Sequence, residues 1–249
     1  MKPHDPADFT ETLVSSESVF EGRLLKVRRD TVNLPDGSRA TREYIRHPGA
    51  AMIVAQPDPD TILLERQFRY PLGRHFIELP TGKIDAGEAP LATAQRELRE
   101  ECGYTAQEWR HLATLHPCIG YADECIELFL ARDLQQVGSA LDEGEFLEVM
   151  IVRLDQALDW VRDGTITEAK AVTGLLWAEK IRRGEWSYVV LSRQRLAARR
   201  MISRARICGQ APVSPCPVVP QPGSNGPERR ARRLPSAVSP SIRFRRLWR

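Results

Sequence analysis

The feature that most restricts how this chain can fold is a single helix-forming segment, residues 89–101, set inside a long succession of short strand-like runs. Pro90 suits a first helical position, Ala, Leu, Gln, Arg and Glu fill the following turns, and Gly103 stands where a helix would stop. On either side the pattern is β. Val19–Val32 and Ala40–Ile45 flank Pro35-Asp36-Gly37-Ser38 and read as a hairpin. Ala51–Ala55, Thr61–Leu64 and His75–Leu79 follow with Pro, Asp and Gly turns between them, and Leu112–Leu115, Ile126–Ala131 and Glu148–Arg153 resume after the helix. Two more helices come last, one capped by Asp155 over Gln156–Arg162 and one capped by Thr167 and running to Arg182, with Gly184 ending it. This order predicts an α/β (α+β) fold: a mixed β-sheet sandwiched between helices, with an N-terminal β-hairpin region.

The formal net charge of +3 conceals two unlike parts. From Leu191 to Arg249 there are 14 arginines, no lysine, the single acid Glu228 and 8 of the 18 prolines. The first 190 residues hold 22 basic and 32 acidic groups, so an acidic body is joined to a basic tail. The tail's prolines and its Gly223-Ser224-Asn225-Gly226 run do not suit packed structure, and it is expected to be largely disordered. The expected divisions are a flexible leader 1–16, an N-terminal β region 17–47, a main domain 48–190 and the tail 191–249.

No apolar run approaches the ~20 residues a spanning helix requires, which excludes a membrane span, and no membrane partner is expected; the alternative reading of the Arg-rich tail is a nucleic-acid or membrane-surface arm. The N-terminus lacks the apolar core of a secretory signal. Five cysteines at no metal-ligand spacing read as reduced thiols, and the chain is expected in the cytoplasm. Nucleic acid is an unexpected partner except through the basic tail.

The chemistry concentrates on the helix. At about 100° per residue, Glu97, Glu100 and Glu101 fall in one sector of roughly 100°. Carboxylates at i, i+3 and i+4 repel one another, and a hard divalent cation offsets that cost; Mg²⁺ suits such oxygens, with Mn²⁺ as the alternative. On spacing alone, a solvated helix face neutralised by Arg96 and Arg99 is an equally good reading.

Gly82, Glu88, Arg96, Glu97, Leu98, Glu100, Glu101 and Gly103 stand at the spacings of the Nudix box, and the stretch resembles that motif; Tyr104 occupies a usually aliphatic position. Over roughly residues 10–190 the chain is similar to the ADP-ribose pyrophosphatase branch of the Nudix hydrolases. The residues carrying this are Glu65-Arg66-Gln67-Phe68-Arg69-Tyr70-Pro71, Glu78-Leu79-Pro80-Thr81-Gly82 and Asp142-Glu143-Gly144-Glu145-Phe146. Cys118-Ile119-Gly120 departs from the Ser-Pro-Gly common in the branch.

The resemblance implies a Nudix fold over residues 48–190. It implies metal-dependent hydrolysis of the diphosphate bond of ADP-ribose or a related nucleoside diphosphate sugar, giving AMP and a sugar phosphate. Carried over by residue, Glu97, Glu100 and Glu101 hold the metal, with the Thr81 carbonyl as a further ligand. Gly82, Glu88 and Gly103 are structural members of the box, and Arg96 supports the catalytic geometry beside Glu88. Glu143, with Glu145 second, takes the proton from the attacking water. Arg66 and Arg69, expected to share one strand face, are candidates for the substrate phosphates, and Glu78 either faces the substrate or caps a strand end. The branch also implies a homodimer whose N-terminal strands exchange. The alternatives are a hydrolase of another nucleoside diphosphate derivative and a nucleotide-sensing module without catalysis, which would be expected to lose box acids that this chain keeps. His111 and His116 read as surface or edge residues, and Trp160, Leu175, Leu176 and Trp177 as packing residues.

Overall fold

The computed structural model describes residues 8–138, 141 and 146–187. Its strands are β1 (Thr12–Glu21), β2 (Lys26–Asn33), β3 (Arg39–Arg46), β4 (Ala50–Ala55), β5 (Thr61–Arg69), β6 (Arg74–Glu78), β7 (Thr81–Lys83), β8 (Tyr104–Leu115), β9 (Ile126–Gln136) and β10 (Leu147–Arg153). Its helices are α1 (Pro90–Glu100), α2 (Leu154–Asp163) and α3 (Ala169–Arg182). The tail 191–249 lies outside the described residues.

β4 organises the molecule. It is buried at every position and lies between β7 and β9 in the sheet β7-β4-β9-β8, antiparallel to β7 and parallel to β9. Alternate residues of a strand face opposite ways. Ala51, Ile53 and Ala55 pack with Ala94 and Leu98 of α1, while Met52 and Val54 pack with Leu175 and Ala178 of α3. Burial on both faces is why β4 reads as an unbroken apolar run. A second sheet, β10-β5-β6, is antiparallel throughout. The mixed sheet between helices matches the sequence expectation. Among the described residues no helix is long and apolar enough to cross a membrane.

α3 approaches β4 closely at Gly174. A Cβ there would come 2.3 Å from Leu79 Cδ1 and 3.3 Å from Val54 Cγ2. Gly174→Ala is therefore expected to destabilise the fold by about 1–3 kcal/mol, the usual cost of overpacking, as read by chemical denaturation. An unchanged midpoint would show that Leu79 moves aside freely.

The N-terminal region departs from expectation. β1 begins at Thr12, inside the stretch read as a leader, and Gly22 N donates to Leu25 O in a turn that divides 19–32 into two strands. The result is an antiparallel sheet in the order β1-β2-β3. Its register is supported by a row across the strands, with Arg29 donating to Glu17 at 3.2 Å and to Glu43 at 2.8 Å. All ten residues of β1 are exposed, so the strand carries no burial pattern to read.

The helix caps also differ. α2 starts at Leu154, two residues earlier than expected, and Asp155 sits in its first turn, where a negative charge suits the helix dipole. Glu168 caps α3 by accepting from Ala171 N at 2.7 Å, whereas Thr167 accepts from Arg74 at 3.2 Å. Trp160, Leu175 and Trp177 pack as expected, while Leu176 is an exposed exception.

Candidate active site

Glu97 is positioned by the absence of a side chain. Gly82 in β7 lies opposite Ala51 of β4, and the Glu97 carboxylate rests over it so closely that a Cβ on Gly82 would fall 1.9 Å from Glu97 Cδ. Thr81 precedes it, opposite Met52, with its hydroxyl donating to Leu79 O at 2.8 Å. Gly103 ends the turn after α1 with φ 74°, a left-handed conformation that glycine adopts without strain.

Arg96 gathers the acids of this segment. Its Nε and Nη2 each lie 3.2 Å from an oxygen of Glu88, and its Nη1 lies 2.8 Å from Glu97 and 3.0 Å from Glu100. The hydrogen bonds from Arg96 hold the Glu88 carboxyl below its ordinary range. Thr93 also donates to Glu88, at 2.7 Å, fixing the loop before α1 to its first turns.

The second wall comes from β5 and β6. Arg69 donates from Nε and Nη2 to the two oxygens of Glu78, both at 2.7 Å, and Glu78 is buried. Directly opposite Glu78 in the strand pair is Glu65, also buried, which accepts from the Cys102 thiol at 2.9 Å. Burial pushes the Glu65 carboxyl up to about 7, and the neighbouring charges of Glu78 and Glu97 add to the rise. Burial likewise pushes the Cys102 thiol up, reinforced by Glu65. Arg69 feels Glu101 and Glu65 as well as Glu78, so the end of α1 and the face of β5–β6 form one electrostatic basin.

Sequence reasoning quoted Glu65 without giving it a role. Its signal was the lone acid after Ile62-Leu63-Leu64, four residues before Arg69 and hence on the same strand face. The same periodicity corrects Arg66. It lies three residues from Arg69, an odd separation that puts the two on opposite faces, and it pairs with Glu148 of β10 at 3.5 Å. Glu78, the last residue of β6, is buried and pairs with Arg69.

Glu143 and Glu145 lie outside the described residues; the strand that follows them begins with Leu147 opposite Gln67 of β5. The loop carrying Cys118-Ile119-Gly120 is tied to the end of β3: Ala122 bridges Ile45, and Asp123 accepts from His47 N at 2.7 Å and pairs with Arg46 at 2.8 Å. His111 is on edge strand β8 but half-buried, 2.5 Å from Glu127, which also accepts from Thr114 at 2.8 Å.

The donor set suits a hard divalent cation: Glu97, Glu100 and Glu101 offer carboxylate oxygens, and the Gly82 cradle leaves room for the Glu97 carboxylate against the strand. Among the described residues no three acid, histidine or cysteine side chains converge as a ready metal site, and Arg96 bridges Glu97 and Glu100.

Residues 45–172 match the NUDIX domain model, and residues 11–45 match the Nucleoside diphosphate sugar hydrolase N-terminal domain. The chain is 37% identical over 171 residues to an ADP-ribose pyrophosphatase of Bacillus subtilis (strain 168), spanning 68% of this chain and 92% of that one. It is 36% identical over 173 residues to a Methanol dehydrogenase activator of Bacillus methanolicus, spanning 69% and 94%. A crystal structure of an ADP compounds hydrolase superposes with a TM-score of 0.66 at 27% identity, covering 72% of this chain and 98% of its own. With the acid-bearing helix, its glycine cradle and the preceding three-stranded sheet all inside the matched residues, the chain belongs to the Nudix hydrolase family.

Proposed function

We propose that the protein is a Mg²⁺-dependent diphosphatase that cleaves ADP-ribose or a closely related nucleoside diphosphate sugar to AMP and a sugar phosphate. The observation that carries this reading is the seating of Glu97 over Gly82 beside Glu100 and Glu101, facing a wall that presents Arg69. Glu97, Glu100 and Glu101 hold the metal, with the Thr81 carbonyl adjoining. The bound cation supplies positive charge for the diphosphate oxygens and makes water a stronger acid. Arg69, held in orientation by Glu78, meets the diphosphate with a guanidinium that pairs phosphate oxygens in bidentate fashion. Glu143, with Glu145 second, accepts the water's proton. Arg66, on the opposite face of β5 from Arg69, pairs with Glu148 and takes no part in this contact.

The dimer belongs to the same proposal. β1 exposes Leu13, Val19 and Phe20 at the edge of the N-terminal sheet, a surface suited to exchange with a second copy. The free thiols Cys102, Cys118 and Cys125 accord with a cytoplasmic enzyme. A second reading, a nucleotide-binding regulator without turnover, draws on the relative named as an activator. The intact acid set favours catalysis.

The test is release of AMP from a panel of nucleoside diphosphate sugars by the full chain with Mg²⁺. ADP-ribose is expected to be turned over, and Glu100→Gln to lower kcat by roughly tenfold or more. Failure to hydrolyse any member of the panel, or an undiminished Glu100→Gln variant, would sink the enzymatic reading.

A further inference from the structure

Arg96 divides its guanidinium between two tasks. The edge formed by Nε and Nη2 grips both oxygens of Glu88 in a fork, each contact 3.2 Å long. The remaining nitrogen, Nη1, sits between Glu97 at 2.8 Å and Glu100 at 3.0 Å. These two carboxylates are assigned to the divalent cation in the function proposed above, and the present inference rests on that assignment. The two tasks are separable. A planar guanidinium can keep a bidentate grip along one edge while the opposite nitrogen loses its partners.

We propose that Arg96 is a placeholder cation: Nη1 balances Glu97 and Glu100 until a divalent ion arrives, then yields them while the fork to Glu88 keeps the side chain anchored. The role has a physical reason. Carboxylates three residues apart on a helix repel, and without a counter-charge they would turn apart into solvent. Nη1 relieves that repulsion while no ion is present. The arrangement also weakens metal binding to the substrate-free protein, because each ion must displace a charge already present. Glu88 is the anchor: its side chain is only 19% exposed and is further fixed by Thr93. Arg96 thus acts through the glutamates as a positioning residue.

Arg99 supplies the control. It lies three residues along the same helix with the same charge, but it is exposed and has no described contact with the acids. A general effect of positive charge would be felt from either arginine. A displacement effect would be felt from Arg96 alone.

The experiment is titration of the substrate-free full chain with Mn²⁺, followed by the loss of the free-ion paramagnetic resonance signal. Arg96→Gln is expected to bind Mn²⁺ about three- to tenfold more tightly than the parent, the scale of one partly exposed ion pair. Glu88→Gln is expected to weaken binding about threefold, since Arg96 without its anchor leans wholly on Glu97 and Glu100. Arg99→Gln is expected to change it by less than about twofold. Simple structural damage would weaken binding in the first two variants alike, so their opposite signs carry the proposal. Unchanged or weaker binding in Arg96→Gln overturns it, as does equal tightening in Arg99→Gln. Should Arg96→Gln fail to fold, Arg96→Lys takes its place, because an ammonium cannot span Glu88 and both other acids. Tightening of about twofold supports the placeholder, and unchanged affinity overturns it. Glu101→Gln separates the two levels of argument: Mn²⁺ binding that ignores this change sinks the metal-site reading itself, whatever Arg96 does.

Discussion

Gly82→Ala is expected to yield a folded protein with turnover reduced about a hundredfold, an effect on the scale of losing one oriented catalytic group. The new methyl would lie 1.9 Å from the Glu97 carboxylate carbon and its Oε1, and 2.2 Å from its Cγ. Those atoms are the far end of a flexible side chain, so the clash is relieved when Glu97 swings away and the backbone pairing of β7 with β4 persists. Relief of strain and loss of function are therefore one movement. Circular dichroism and a thermal melt should stay close to the parent while kcat falls. A variant that loses fold and activity together would show that β7 itself cannot accept the methyl, and full activity would show that Glu97 works from a different position.

Arg69→Met is expected to be the most damaging single change on the other wall, lowering stability by roughly 2–4 kcal/mol as well as removing the phosphate contact. Glu78 is buried and depends on two 2.7 Å hydrogen bonds from Arg69, and Glu65 faces it across the strand pair. Without the guanidinium, two carboxylates share a buried site with one cation fewer. Arg69 is itself 45% exposed, so water recovers part of the loss, which places the figure below that of a fully buried pair. Adding Glu78→Gln should return at least half of the lost stability in urea denaturation but none of the activity. If the double variant is no more stable than Arg69→Met alone, the Arg69–Glu78 pair is not what holds this wall.

The parts of the molecule that could be read in advance are those where burial and periodicity agree. Ala51–Ala55 is apolar because both of its faces are covered, and α1 is marked by Pro90 at its start and Gly103 beyond its end. The box acids were legible because one helix carries them all. β1 was not, because all ten of its residues are exposed and its place is set by cross-strand pairing with β2. β8 begins at Tyr104, well before Leu112, because its first half is only partly buried and looks polar in sequence. The Glu65–Cys102 contact joins residues 37 positions apart and has no local signature. Arg66 was grouped with Arg69 by proximity in sequence, and strand alternation then sent them to opposite faces.

The double burial of β4 has a consequence for how this chain can vary. Each of its residues may be exchanged for another of similar volume, because either neighbouring core can adjust by small movements. Insertion or deletion of one residue is a different event: it would turn Ala51, Ile53 and Ala55 toward α3 and Met52 and Val54 toward α1, inverting both cores at once. Length variation among proteins that share this catalytic arrangement should therefore be found in the segments joining the strands, and β4 should keep its six residues even where its composition drifts.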